Sequence, residues 1–172
     1  MKNYFFFGSI ALICLAFYAC QKSNDVSGSS SQLKIRMTDA PYNAQQVNVD
    51  LREVVIKYKK DSSWTTLTTN AGIYNLLQFQ NGLDTLIASG GIPTNSIIKE
   101  VRLILGPNNS IMIDSVVYPL LIPSGSESGL KIKVDKKLNR SIEDILLDFD
   151  ANLSIHQTGA GQYKLKPVIK LK

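Results

Sequence analysis

"LKIRM" (33–37) and "VNVDL" (47–51) decide how this chain folds. In the first, Leu33, Ile35 and Met37 fall on one side and Lys34 and Arg36 on the other. Val47, Val49 and Leu51 repeat the pattern. Successive side chains of a strand point to opposite faces, so apolar residues at every second position mark half-buried β-strands. "VVIKYKK" (54–60) resumes the alternation after an irregularity at Arg52–Glu53. Further runs of this kind are "WTTLT" (64–68), "IKEVRLIL" (98–105), "SIMID" (110–114), "VVYPLLI" (116–122), "LKIKV" (130–134), "DILLDFDA" (144–151) and "YKLKPVIKLK" (163–172). Gly, Pro, Asn and Asp separate them, which predicts an all-β chain folded as a single antiparallel β-sandwich. "MIDSVVY" predicts a hairpin turning at Asp114–Ser115, and "HQTGAGQY" a looser one. Only "YNLLQFQNGLDTLIASG" (74–90) has room for helix, at most one or two short turns. No constant-period repeat is present, which argues against a solenoid or propeller.

The start of the chain is of another kind. Lys2 precedes an apolar run from Tyr4 to Ala19, shorter than the roughly 20 residues a spanning helix needs. The run ends at Cys20, and polar residues follow at once in "CQKSND". A basic start, a short apolar centre and a small residue before a cut site describe a signal peptide. A thiol directly after that site is what lipoprotein maturation alkylates. "FYAC" resembles the bacterial lipobox, in the bulkier form compatible with Bacteroidetes-type bacteria. The expected division is a lipoprotein signal peptide over 1–19, a lipidated Cys20 and Ser/Gly-rich tether over 20–32, and the sandwich over 33–172. Two or more acyl chains anchor stably where one does not. The protein is therefore expected on the bacterial outer membrane, facing the surface or the periplasm, with about 20 Å of reach from its tether.

Composition narrows the chemistry. The other cysteine, Cys14, lies in the signal segment, so the mature domain has neither disulfide nor thiol and must rest on its core. The net charge of +5 falls to about +4 without Lys2, a modest excess that suits solubility rather than nucleic-acid binding.

Five blocks occur together and in order: "RMTDAP" (36–41), "YNLLQFQNG" (74–82), "VRLILGPNN" (101–109), "YPLLIPSGSESGLKI" (118–132) and "LDFDANLSI…GQYKLKPVI" (147–169). Together they resemble the bacterial lipoprotein family catalogued as domain of unknown function 4382, across nearly all of the mature chain. The resemblance implies an extracytoplasmic β-rich domain, by analogy a sandwich of transthyretin or immunoglobulin general type, and brings no catalytic residues with it.

Several constellations could carry chemistry. "PSGSESGLK" (123–131) invites a phosphate loop or a nucleophilic Ser126 or Ser128 beside Lys131. A phosphate loop leads into a helix N-terminus, whereas this one leads into a strand. A lysine base needs desolvation, whereas Lys131 alternates with core residues and faces water. "LDFDA" puts Asp148 and Asp150 on one strand face, about 6–7 Å apart. With Asp39 they are the candidate ligands for Ca²⁺, which takes six to eight oxygens. No other cofactor is expected. His156, the sole histidine, has no nucleophile or orienting acid beside it and is assigned to a loop. Trp64, Tyr42, Tyr58, Tyr74 and Tyr118 offer a sugar-stacking platform, against the commoner use of such rings in packing. Lys164, Lys166, Lys170 and Lys172 line the last strand, either guarding an edge or forming a basic stripe for an acidic glycan or headgroup.

The sequence thus predicts a lipid-anchored, non-catalytic binding or adhesive module for a glycan or envelope protein. Trp64, Lys164, Lys166 and Lys170 are its expected ligand surface. A fimbrial-type subunit assembling by strand addition is the alternative, and an envelope hydrolase a more distant one.

Overall fold

The computed structural model describes residues 29–58, 63–122 and 129–172. Cys20, residues 21–28 and residues 123–128 lie outside them, while Ser30–Gln32, expected in a tether, already belong to the first strand. In chain order the strands are β1 (Ser30–Asp39), β2 (Gln46–Tyr58), β3 (Thr65–Thr66), β4 (Thr68–Thr69), β5 (Gly72–Asn75), β6 (Thr85–Pro93) and β7 (Ile97–Leu105). They continue as β8 (Ser110–Ile113), β9 (Val116–Leu121), β10 (Leu130–Lys137), β11 (Ile142–Phe149), β12 (Ile155–Gln157), β13 (Tyr163–Leu165) and β14 (Ile169–Leu171). A 3-10 turn at Leu76–Phe79 and one helical turn, α1 (Ala151–Ser154), complete the described elements.

Two sheets pack face to face, as the alternation requires. The smaller runs β14-β11-β1-β6-β4, and the larger β10-β7-β2-β8-β9-β13-β12, with β3 and β5 also on β2. Leu33 and Ile35 of β1, Val54 and Ile56 of β2, Ile87 of β6, Leu103 of β7 and Phe149 of β11 meet between them, each at most 2% exposed. Burying each such side chain contributes about 1.5–3 kcal/mol. This core holds the sandwich without disulfides, since residues 29–172 contain no cysteine.

The sandwich is not purely antiparallel. β1 pairs parallel with β11 along Gln32–Asp39 and Ile142–Phe149, and β13 pairs parallel with β9. Both pairings join segments that reach each other through other elements, and adjacent hairpins cannot supply that arrangement. The expected hairpin is present: Asp114 (φ 49°) and Ser115 (φ 64°) turn β8 into β9. Positive φ at both central residues matches the right-handed twist of the flanking strands. The looser hairpin joins β12 to β13. The irregularity at Arg52–Glu53 is a register shift against β7 between Leu51 and Glu53.

Three expectations are corrected. "YKLKPVIKLK" is two strands in different sheets, β13 and β14, because Pro167 cannot donate to a ladder. The C-terminal half of 74–90 is not helical: beyond Phe79 the chain turns through Asn81 (φ 57°) and Gly82 (φ 87°) and enters β6. "WTTLT" likewise divides, with β3 on the larger sheet and β4 on the smaller. Leu67 crosses between them, 4% exposed, its N–H donating to the Val54 carbonyl at 3.0 Å. That crossing closes one side of the sandwich.

The blocks that carried the family resemblance form the fold's polar ties. Asn75 caps the 3-10 turn, its Oδ1 accepting from Leu77 N–H, and it also accepts from Val47 N–H at 3.1 Å. Against "LGPNN" (105–109), Asp50 of β2 is 1% exposed and accepts from Arg52 Nη2 (2.7 Å) and Asn108 N–H (3.1 Å). Asn109 Oδ1 accepts from Asp50 N–H, and its amide donates to the Gly106 carbonyl. A Cβ at Gly106 would collide with the Asp50 carboxylate and Arg52. Buried polar groups need partners, and this turn supplies them.

Candidate functional site

The expected ligand surface does not assemble. Trp64 precedes β3 on the larger sheet, Lys164 lies on β13, Lys166 follows it, and Lys170 lies on β14 in the other sheet. Lys170 sits opposite Asp148, whose carboxylate is ion-paired with Lys172 Nζ at 3.1 Å. Tyr118 packs against Tyr163 (5.1 Å between ring centroids) and Tyr74 against Phe79 (6.2 Å). Tyr42 and Tyr58 also pack on the core, so the aromatic platform reduces to Trp64.

The aspartates proposed as calcium ligands each have another task. Asp39 Oδ1 accepts from Ala151 N–H at 3.0 Å, tying the end of β1 to α1. Asp150 caps α1 by accepting from Leu153 N–H at 3.0 Å. Among the described residues no group of three His, Cys, Asp or Glu side chains is placed to hold a metal. Asp39 is pushed up from 3.8 to about 6, chiefly by burial. The N–H of Ala151 and the Gln80 side chain oppose that rise, and the Asp148 charge adds to it. Among the described residues Asp39 Oδ2 and Asp148 Oδ1 have no hydrogen-bond partner of normal geometry, and the Gln80 amide donates to the Ala40 carbonyl at 3.5 Å. His156 is in β12 rather than a loop, exposed and opposite Lys164.

The structure builds a different surface, on the outer face of the larger sheet. Lys131 of β10 is opposite Arg102 of β7, which is opposite Val55 of β2, which is opposite Thr66 of β3. The next outward row runs Lys133, Glu100, Lys57. The Arg102 guanidinium lies over the Trp64 ring, 3.9 Å from its centroid. Its side chain therefore spans Val55, which is only 7% exposed although it points away from the core. The Arg102 stem rests on backbone at the other end: a Cβ on Gly129 (φ 67°) would lie 2.6 Å from Arg102 Cγ. Such a cation–π contact contributes about 0.5–1 kcal/mol at an exposed site and holds the guanidinium against the ring. Among the described residues, no carboxylate lies within ion-pair distance of Arg102, Lys131, Lys133 or Lys57. Arg102 Nε is buried and has no hydrogen-bond partner among the described residues.

A cavity of about 340 Å³ adjoins this face, where β10 meets β14. Gly129, Leu130, Lys131 and Ile132 form one wall, and Pro167 and Ile169 the other. Its volume is near the lower end for small-ligand sites. Trp64 was visible in the sequence as a candidate. Arg102 was not, because only the β7–β2–β3 pairing brings it to the ring.

Comparison with curated proteins and with solved structures gives no match. The family model described as domain of unknown function (DUF4382) matches residues 30–167, which is almost the whole described sandwich, and the chain belongs to that family.

Proposed function

We propose that this protein is a lipid-anchored lipoprotein of the bacterial outer membrane whose β-sandwich binds an acidic glycan without catalysing a reaction. The observation that carries the reading is Arg102: a guanidinium over the Trp64 ring, with Lys131 opposite it and, among the described residues, no carboxylate within ion-pair distance. A planar guanidinium suits bidentate recognition of carboxylate, and by the same geometry of a sulfate ester. Preorientation lowers the entropy that binding would otherwise cost. The anchor reading rests on the sequence at Cys20.

The full chain, displayed against carboxylated, sulfated and neutral glycans, should retain the acidic ones, with weaker retention as salt rises. Arg102→Gln and Trp64→Ala should each abolish retention. Equal retention of neutral glycans, or indifference to both substitutions, refutes the assignment. Cys20→Ser should abolish labelled fatty-acid incorporation, and unchanged labelling refutes the anchor.

A further inference from the structure

The two sides of the sandwich are finished differently. On one side the chain crosses between the sheets at Leu67. On the other, β10 ends the larger sheet and β14 ends the smaller, and the two are not hydrogen-bonded to each other. β14 covers only Leu147–Phe149 of β11. Among the described residues, no strand pairs with the outer edge of β10 along Leu130–Lys137, nor with β11 at Ile142–Ile145 on the side away from β1. Backbone groups along such an edge are a template for one more strand.

This seam has a closed end and an open end. At the closed end Lys136 reaches across from β10, Nζ donating to the Asp144 carbonyl at 2.7 Å and lying 3.5 Å from Glu143 Oε2. Glu143 Oε1 accepts from the N–H groups of Asn139 and Arg140, fixing the turn between β10 and β11. The open end is the cavity between Gly129–Ile132 and Pro167–Ile169. Apolar Leu130, Ile132 and Ile169 line it, while Lys131, Lys133, Lys137, Lys166 and Lys170 stand exposed around the seam. Against them Asp135 is paired with Lys99 and Glu143 with Lys136, leaving Asp144 as the exposed acid of β10 and β11 outside an ion pair.

We propose that β10 accepts an extended acidic peptide from a partner protein as an added strand, with an apolar side chain of that peptide seated in the cavity. Lysines on an edge discourage pairing with a like-charged edge, including the β10 of a second copy, and select for acidic side chains instead. Main-chain bonds would give affinity, and the cavity with its basic rim the specificity. This interaction is separate from glycan binding on the outer face, although Lys131 borders both surfaces.

The test uses the full chain and a short synthetic peptide alternating valine with glutamate or aspartate. Calorimetry should show binding, and hydrogen exchange should show new protection of amides within Leu130–Lys137. The same peptide carrying N-methyl groups on alternate residues keeps its charge and side chains but loses strand donors, and should not bind. Lys131→Glu/Lys133→Glu, with an unchanged melting temperature, should bind about tenfold more weakly or worse. Trp64→Ala should leave peptide binding intact even where it abolishes glycan retention. Binding that survives N-methylation overturns the proposal, as does protection elsewhere than β10 or no binding at all. Self-association that protects β10 without peptide would replace the acidic partner with a second copy.

Discussion

Asp39→Asn tests whether the end of β1 carries an electrostatic cost. The carboxyl is 3% exposed and accepts one backbone hydrogen bond. Burial dominates, so its folded-state value stands at about 6 against 3.8 for the free group. Below the free value both states are protonated, and the folded state carries no charge penalty. As pH rises from about 4 to 6 the unfolded chain ionises first, so the folded state binds more protons and loses stability. Above 6 the whole cost is present. Taken in full, the displacement is about 3 kcal/mol. Buried sites respond to charge with an effective dielectric well above that of dry protein, so about half of that, ~1–2 kcal/mol, is the expected effect. Asn keeps the oxygen that accepts from Ala151 N–H, and any packing change it introduces is the same at every pH. Urea unfolding of both proteins at pH 4 and pH 7 isolates the charge. The stability of the variant minus that of the wild type should rise by ~1–2 kcal/mol between the two. A difference that is flat across this range refutes the reasoning, and one that falls means ionised Asp39 is stabilised where it sits.

Gly106→Ala should destabilise the domain by about 1–3 kcal/mol, because a Cβ there strikes the Asp50 carboxylate and Arg52; equilibrium unfolding measures it, and a neutral result would mean the turn yields freely. Phe149→Ala removes a ring 1% exposed between the sheets and should cost about 3–5 kcal/mol by the same assay. Reducing agent should leave the melting temperature unchanged, since Cys14 and Cys20 are the only cysteines and both precede the sandwich. EDTA should also leave it unchanged, and a calcium-dependent rise abolished by Asp148→Asn would restore the aspartates as ligands.

What the sequence disclosed and what it hid follow from the range of the interactions involved. The Asp114–Ser115 hairpin and the break at Arg52–Glu53 are written in neighbouring residues, so alternation and turn chemistry reveal them. β6 was hidden because "ASGGIP" reads as the end of a helix. Its glycines instead allow close approach, Gly90 lying where a Cβ would come within 2.9 Å of Leu67 Cδ2. The parallel β1–β11 ladder was hidden because Leu33 and Glu143 share no local pattern. The candidate site divides in the same way: an isolated tryptophan can be seen in sequence, but its pairing with Arg102 depends on three strands in register. The lysines of the last segment misled because Pro167 sends Lys164 and Lys170 to different sheets.

β1 has a mechanical consequence. It begins at Ser30, immediately after the segment that leads back to Cys20, yet it is the central strand of its sheet, between β11 and β6. A pull arriving through the residues before Ser30 is directed along the strand rather than across it. Yielding then requires the ladders to β11 and β6 to slide together, instead of opening one bond at a time from an end. Under the anchor proposed at Cys20, a domain hung from its central strand would resist drag in shear. An edge strand such as β14, held by only three residue pairs, would peel away under the same load.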